Sequence, residues 1–145
     1  TLQKLIQKEN SYDYVIIDSP PSLGVLAANC IVAAHHLVIP VQCEFLALKA
    51  LAQLNGIIEN AKTSNPDITK KILFTMYNKR TIHAEEVVSE IRKYFKTYKT
   101  CVTRTIKFAE SVASGIPLVL LYEDSEQAEQ YRQLAQEVLD GKNVY

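Results

Sequence analysis

Tyr14-Val15-Ile16-Ile17-Asp18-Ser19-Pro20-Pro21-Ser22-Leu23-Gly24 is the stretch that decides the fold class. Its aromatic and aliphatic start reads as a strand, about Tyr14 to Asp18, buried on both faces as in a parallel sheet. The run stops at Asp18, where open α/β sheets place ligands, just beyond a strand's carboxyl end. A carboxylate there suits Mg²⁺, a hard cation that takes oxygen ligands and keeps several waters. The plainer alternative is a solvated carboxylate that closes an ordinary strand. Pro20 and Pro21 then fix φ and remove two backbone donors, and Ser19 is pushed toward an extended conformation. Ser22 can cap a helix expected from about Leu23 to Ala33.

Outward from this stretch, apolar runs alternate with helical stripes. A strand is expected over Leu37–Val41, ended by Pro40, with Gln42 and Glu44 just past it. If the strands are parallel, Gln42 and Glu44 share the carboxyl edge with Asp18. Glu44 also suits the positive end of the next helix, about Phe45 to Lys62, whose Leu51, Leu54, Ile58 and Ala61 form a stripe. Thr63-Ser64-Asn65-Pro66-Asp67 is a loop. Lys71–Tyr77 reads as the third strand, with Asn78-Lys79-Arg80 beyond its end. A helix from about His83 to Lys96 carries Val87, Ile91, Tyr94 and Phe95, and a short strand follows over Thr100–Thr103. Gly115 and Pro117 stop the helix after that, and Leu118–Leu121 is a last apolar piece. The final helix is expected to begin at Asp124, with Gln127 as its capping-box partner. This alternation implies a parallel α/β sheet.

The 145 residues are 48% hydrophobic and 22% charged, enough for one domain with a core and too apolar for a disordered chain. No apolar run approaches a bilayer span. Cys30, Cys43 and Cys101 are widely spaced, which argues against a structural zinc site and for packed, reduced thiols. Adjacent His35 and His36 point to opposite sides of an extended chain and make poor joint ligands. The four glycines are scattered, and no G-x-x-x-x-G-K-[ST] loop occurs. Leu2, Leu5 and Ile6 look like the tail of an amphipathic helix, which suggests the C-terminal part of a longer protein.

Net charge is zero but uneven. Residues 70–107 hold ten basic residues against three acids, a net +7, whereas residues 108–145 carry −5. Lys and Arg gathered on one surface give salt-dependent, sequence-independent binding to phosphate backbones. Arg92, Lys96 and Lys99 share a helix face if helicity reaches Lys99, with Lys93 beside them. A solvated helix face is the plain alternative.

Asp18-Ser19-Pro20-Pro21-Ser22-Leu23-Gly24 resembles the Walker B and switch II segment of the ParA/Soj group, within the ParA/MinD superfamily of deviant-Walker P-loop ATPases. The resemblance continues through Ile39–Leu48, Thr75–Thr81 and Gly115–Tyr122, in the family's order over nearly all of residues 12–140. Arg104–Ser111 resembles the family's I-P-R-N-V-R-L-S-E-A segment, with Thr103 and Thr105 standing where the family has Pro and Asn.

The resemblance implies a parallel-sheet, P-loop NTPase-like α/β fold, here incomplete because the N-terminal P-loop strands are absent, with residues 1–145 as the C-terminal part of a single ATPase domain. It implies ATP and Mg²⁺ as cofactors, Asp18 as the catalytic carboxylate that holds Mg²⁺ through water, and an ATP-driven homodimer. Ser19, Pro20, Pro21, Gln42, Glu44, Asn78, Thr103 and Arg104 fall at its nucleotide or switch positions. Arg80 and Lys107 match basic DNA-contacting positions, and Arg92, Lys93, Lys96 and Lys99 are the further basic candidates. The implied function is DNA partitioning of a chromosome or plasmid, in the cytoplasm on the nucleoid, with nonspecific DNA and a ParB-like protein as partners and no membrane. The alternatives are a MinD-like membrane-associated ATPase, which would carry D-S-P-A-G, and a non-catalytic DNA-binding or adaptor relative. Residues 1–145 alone, without a phosphate loop, are expected not to hydrolyse ATP.

Overall fold

The computed structural model describes residues 1–9, 11–20, 24–44, 46–79 and 81–141. In chain order these form α1 (Leu2–Ile6), α2 (Val25–Ala33), β1 (His36–Gln42), α3 (Ala47–Ala61), β2 (Thr69–Tyr77), α4 (Ile82–Tyr94), β3 (Thr97–Thr103), α5 (Lys107–Ser114), α6 (Leu118–Leu121) and α7 (Glu126–Asp140). The strands form one sheet in the order β1-β2-β3. β2 and β3 run parallel, joined by α4, with register shifts on either side of the Phe74–Cys101 pair. The α/β class and its parallel sheet are therefore as the alternation predicts.

The chain packs as two compact units, residues 1–38 with 48–70, and residues 39–47 with 71–145. In the first, α1 packs on α2, and Leu51 and Ile58 of α3 are buried. The histidines act in strand registration. His36 Nδ1 lies 2.7 Å from the Thr69 hydroxyl, and the Thr69 N–H donates to the His35 carbonyl.

In the second unit, Leu73 of β2 and Tyr98 and Val102 of β3 form a cluster covered by Phe108, Leu134 and Val138. β-Branched and aromatic residues suit a pleated surface buried on one side. The Phe108 and Tyr131 rings meet edge to face, 6.1 Å apart at 69°.

Two expectations change here. Tyr14–Asp18 is not a strand, and it is largely exposed rather than buried, with Ile16 94% exposed. An apolar run becomes a strand only when its N–H and C=O groups join a neighbour's ladder, and the sheet of the described residues is built of β1, β2 and β3. The second change is at α4, which ends at Tyr94 with Phe95 already extended (φ −131°, ψ 144°). Thr97, Tyr98 and Thr100 favour strand, so β3 starts three residues early and takes Lys99 with it. Arg92, Lys96 and Lys99 therefore do not share a helix face.

Smaller differences concern caps. α7 begins after Ser125, whose side chain accepts from the Ala128 N–H at 3.2 Å, in place of the expected Asp124–Gln127 box. α5 closes on Gly115 at φ +68°, a left-handed position that glycine occupies without steric cost. The proposed cap Ser22 lies outside the described residues, as do Pro21, Leu23, Phe45 and Arg80.

Candidate nucleotide edge and basic surface

The carboxyl ends of the strands build an open cleft of about 380 Å³ lined by Gln42, Cys43, Glu44, Met76 and Arg104. Each lining residue follows from a strand ending. After β1 the chain turns tightly: the Glu44 N–H donates to the Gln42 carbonyl at 2.8 Å and the Ala47 N–H to the Glu44 carbonyl at 3.0 Å. That turn leaves the Gln42 and Glu44 side chains exposed. On β2, Met76 sits at φ 51°, a left-handed conformation costly for a side chain with a Cβ. Such outliers gather where a site over-determines the backbone. Arg104 follows β3, and its N–H donates to the Tyr77 carbonyl at 3.1 Å, which fixes the two strand ends together.

The cleft presents the Arg104 guanidinium, the Gln42 amide and the Glu44 carboxylate beside the softer Cys43 and Met76 side chains. Burial first, then the charge of Cys101, pushes the Cys43 thiol up to about 11. It stays protonated at neutral pH, so it packs as a small apolar wall and is no nucleophile. The volume falls in the range of small-molecule sites, and a guanidinium beside an amide offers donors to an anionic or heteroaromatic ligand.

Thr103 does not face the cleft as a free polar group. It is 6% exposed, and its N–H and hydroxyl both donate to Gln130 Oε1, at 2.9 and 3.2 Å, while Gln127 Nε2 donates to the hydroxyl at 2.8 Å. Its role is to hold the base of Arg104. Asn78 is exposed beyond β2, and its carbonyl accepts from the Thr81 N–H and hydroxyl.

Asp18, Ser19 and Pro20 belong to the first unit, at the end of the apolar run and outside any helix or strand. Among the described residues no group of three or more His, Cys, Asp or Glu side chains could hold a metal ion by itself. A Mg²⁺ that keeps waters and phosphate oxygens needs one or two carboxylates, so the exposed Asp18 carboxylate fits that kind of donor set.

The basic residues are spread over several elements. Lys107 opens α5 with its ammonium 5.1 Å from the Tyr122 ring centroid, and the Tyr122 hydroxyl donates to Glu110 at 2.6 Å. Arg92 lies 5.7 Å over the buried Phe74 ring. Lys93 donates to Glu90 at 2.6 Å, one turn back on α4. Lys96 is exposed in the turn before β3, and Lys99 is exposed on β3. Stacking on a ring keeps the positive charge available at the surface, whereas the Glu90 pair offsets it at Lys93.

The buried stripe of the last helix, with Leu134 and Val138, is legible in the sequence, but the polar contacts of α7 with β3 were not read from it. Glu137 accepts from the Lys99 and Thr100 N–H groups, each at 2.8 Å, and from the Thr100 hydroxyl at 2.6 Å. Their signal was present: Gln127, Gln130, Leu134 and Glu137 recur at i, i+3, i+7 and i+10, a polar row on the face that also carries a core leucine.

The parallel sheet and its carboxyl-edge cleft define an α/β chain, and comparison with known proteins narrows the class. A family profile described as "AAA domain" matches residues 1–72. The chain is 42% identical to the sporulation initiation inhibitor protein Soj of Bacillus subtilis over 134 residues, covering 90% of this chain and 53% of Soj. It is 41% identical to the chromosome partitioning protein ParA of Myxococcus xanthus, covering 88% of this chain and 47% of that protein. Among solved structures, a cobyrinic acid a,c-diamide synthase from Mycobacterium smegmatis, with bound ATP analogue and magnesium, matches at TM-score 0.79 and 30% identity over 99% of this chain and 53% of its own. A plasmid partition protein from Borrelia burgdorferi shares the fold at TM-score 0.68 and 19% identity, over 97% of this chain and 52% of its own. Over about nine-tenths of its length the chain is similar to ParA and Soj proteins. It spans about half the length of the curated relatives it matches.

Proposed function

We propose that the intact protein is an ATP-dependent DNA-partitioning ATPase. It binds ATP and Mg²⁺, dimerises with ATP, holds DNA without sequence preference and meets a ParB-like partner in the cytoplasm, on the nucleoid. The observation that carries the reading is the cleft at the carboxyl ends of β1 and β2, closed by Arg104, in a chain 42% identical to Soj. Arg104 and Gln42 supply donors, Cys43 and Met76 supply a soft wall, and Thr103 holds Arg104 in place. Asp18 is the residue that would hold Mg²⁺, through water, and the ion when bound offsets phosphate charge during transfer. Among the described residues no helix is long and apolar enough to cross a membrane.

The test is nucleotide affinity in the intact protein. Arg104→Ala is expected to weaken a fluorescent ATP analogue by about 10-fold, roughly 1.4 kcal/mol. Unchanged affinity would remove the cleft from nucleotide binding. Residues 1–145 alone supply no phosphate loop, so the isolated chain is expected to show no ATP turnover above a mass-verified blank.

A further inference from the structure

Lys79 adjoins Arg80 in the chain, yet its ammonium already has an anion. It donates to Glu126 Oε1, in the first turn of α7. Glu126 is not a loose surface acid. Gln130 Nε2 donates to the same oxygen at 3.1 Å, and Gln130 is itself held by the N–H and hydroxyl of buried Thr103. Gln127 braces that hydroxyl from the same helix. An amide framework on a buried strand end therefore aims one carboxylate at one lysine.

The pair itself remains open to solvent, with the Lys79 and Glu126 side chains 63% and 52% exposed. Exposed pairs of this kind contribute little to stability, so either partner is easily exchanged. A backbone phosphate presents the same charge and similar oxygens to an ammonium. The base of the loop stays fixed through the Arg104 N–H to Tyr77 carbonyl bond, so the exchange needs only side-chain rotation.

We propose that Lys79 is a phosphate contact for duplex DNA held in reserve by Glu126, an internal anion that DNA displaces. The proposal rests on the DNA-binding reading above and adds a residue and a competitor to it. Glu126→Gln keeps the shape and an acceptor for Gln130 but removes the competing charge.

The test compares duplex binding by the intact protein across a salt series. Glu126→Gln is expected to bind more tightly at low salt, with a log–log salt slope steeper by about 0.9, one contact's worth on duplex DNA. Lys79→Ala alone should leave the slope nearly as it is, because in the wild type the phosphate contact of Lys79 is offset by the cation that the displaced Glu126 carboxylate takes up, and Lys79→Ala with Glu126→Gln should return it to the wild-type value. Glu129→Gln, one turn along α7, controls for loss of any acid and should leave the slope unchanged. A Glu126→Gln slope equal to wild type, or matched by Glu129→Gln, overturns the proposal while leaving DNA binding intact. A slope flattened by a full contact in Lys79→Ala alone also overturns it, because Glu126 would then not be offsetting Lys79. Wild-type protein that binds no duplex at low salt removes the DNA reading itself.

Discussion

Asn65 closes a helix to which it does not belong. Its side-chain amide donates toward the carbonyls of Ile31, Val32 and Ala34, at 3.2, 3.1 and 2.7 Å. α2 ends on Ala34 in an extended conformation, so its last carbonyls lack the partners that a left-handed glycine cap would bring. Asn65→Ala is expected to cost about 1–2 kcal/mol. Asn65→Asp should cost more, because a carboxylate cannot donate and faces the same oxygens. Urea unfolding compares the three, and an Asp variant as stable as wild type would discount the staple. Asp18 poses the functional question at this scale. Asp18→Asn keeps the shape and removes the charge offered to Mg²⁺. In the intact protein ATP turnover should fall by at least ~10-fold, about 1.4 kcal/mol of barrier. Near-normal turnover would make Asp18 an ordinary solvated carboxylate.

α7 replaces a neighbouring strand along part of β3. Glu137 takes two consecutive backbone N–H groups and a hydroxyl, and Gln130 takes a third N–H. Burial raises the Glu137 pKa, but the Thr100 hydroxyl, the two N–H groups and the charge of Lys71 outweigh it and hold the carboxyl below its ordinary value. A carboxyl depressed on folding stabilises above its unfolded pKa, near 4.3, and loses that contribution as pH falls through the folded-state value. Glu137→Gln should therefore be less stable than wild type at pH 7, and the gap should narrow toward pH 3. Thermal melts at both pH values check this, and a gap that stays constant would mean the charge is immaterial.

Much at this scale was legible beforehand. The stripe of α3 through Leu51 and Ile58, the strand of β2 and the stop at Gly115 all follow from local patterns. Two things were not. Tyr14–Asp18 has a strand's composition, but pairing is a property of two segments and one cannot declare it. The cleft gathers Gln42, Met76 and Arg104 from three separate strand ends, and nothing in local spacing marks Met76. Gln42 and Glu44 were found because strand carboxyl ends are where such folds put ligands, and Arg104 was found through the family resemblance.

For the whole molecule, charge distribution decides more than charge total. The net is zero, yet residues 70–107 are +7 and residues 108–145 are −5. Part of the positive excess is offset internally, at Lys70 by Glu59, Lys79 by Glu126 and Lys93 by Glu90. Lys107 differs: its partner is the Tyr122 ring, which leaves the ammonium charge in place at the start of α5. Arg80, known here from sequence alone, matches the second basic position of the ParA/Soj resemblance. If both contact phosphates, Arg80→Ala with Lys107→Ala in the intact protein should weaken nonspecific duplex binding. It should also flatten the log–log salt slope by about 1.8, two contacts' worth. ATP turnover without DNA should survive, because Lys107 is not among the described residues that line the cleft. The same preparation should change mass with ATP in light scattering if nucleotide drives dimerisation. A double variant with wild-type affinity and salt slope would exclude these two residues as phosphate contacts. One that loses DNA binding and basal turnover together would point to damaged folding instead, which a melting curve on the same sample distinguishes.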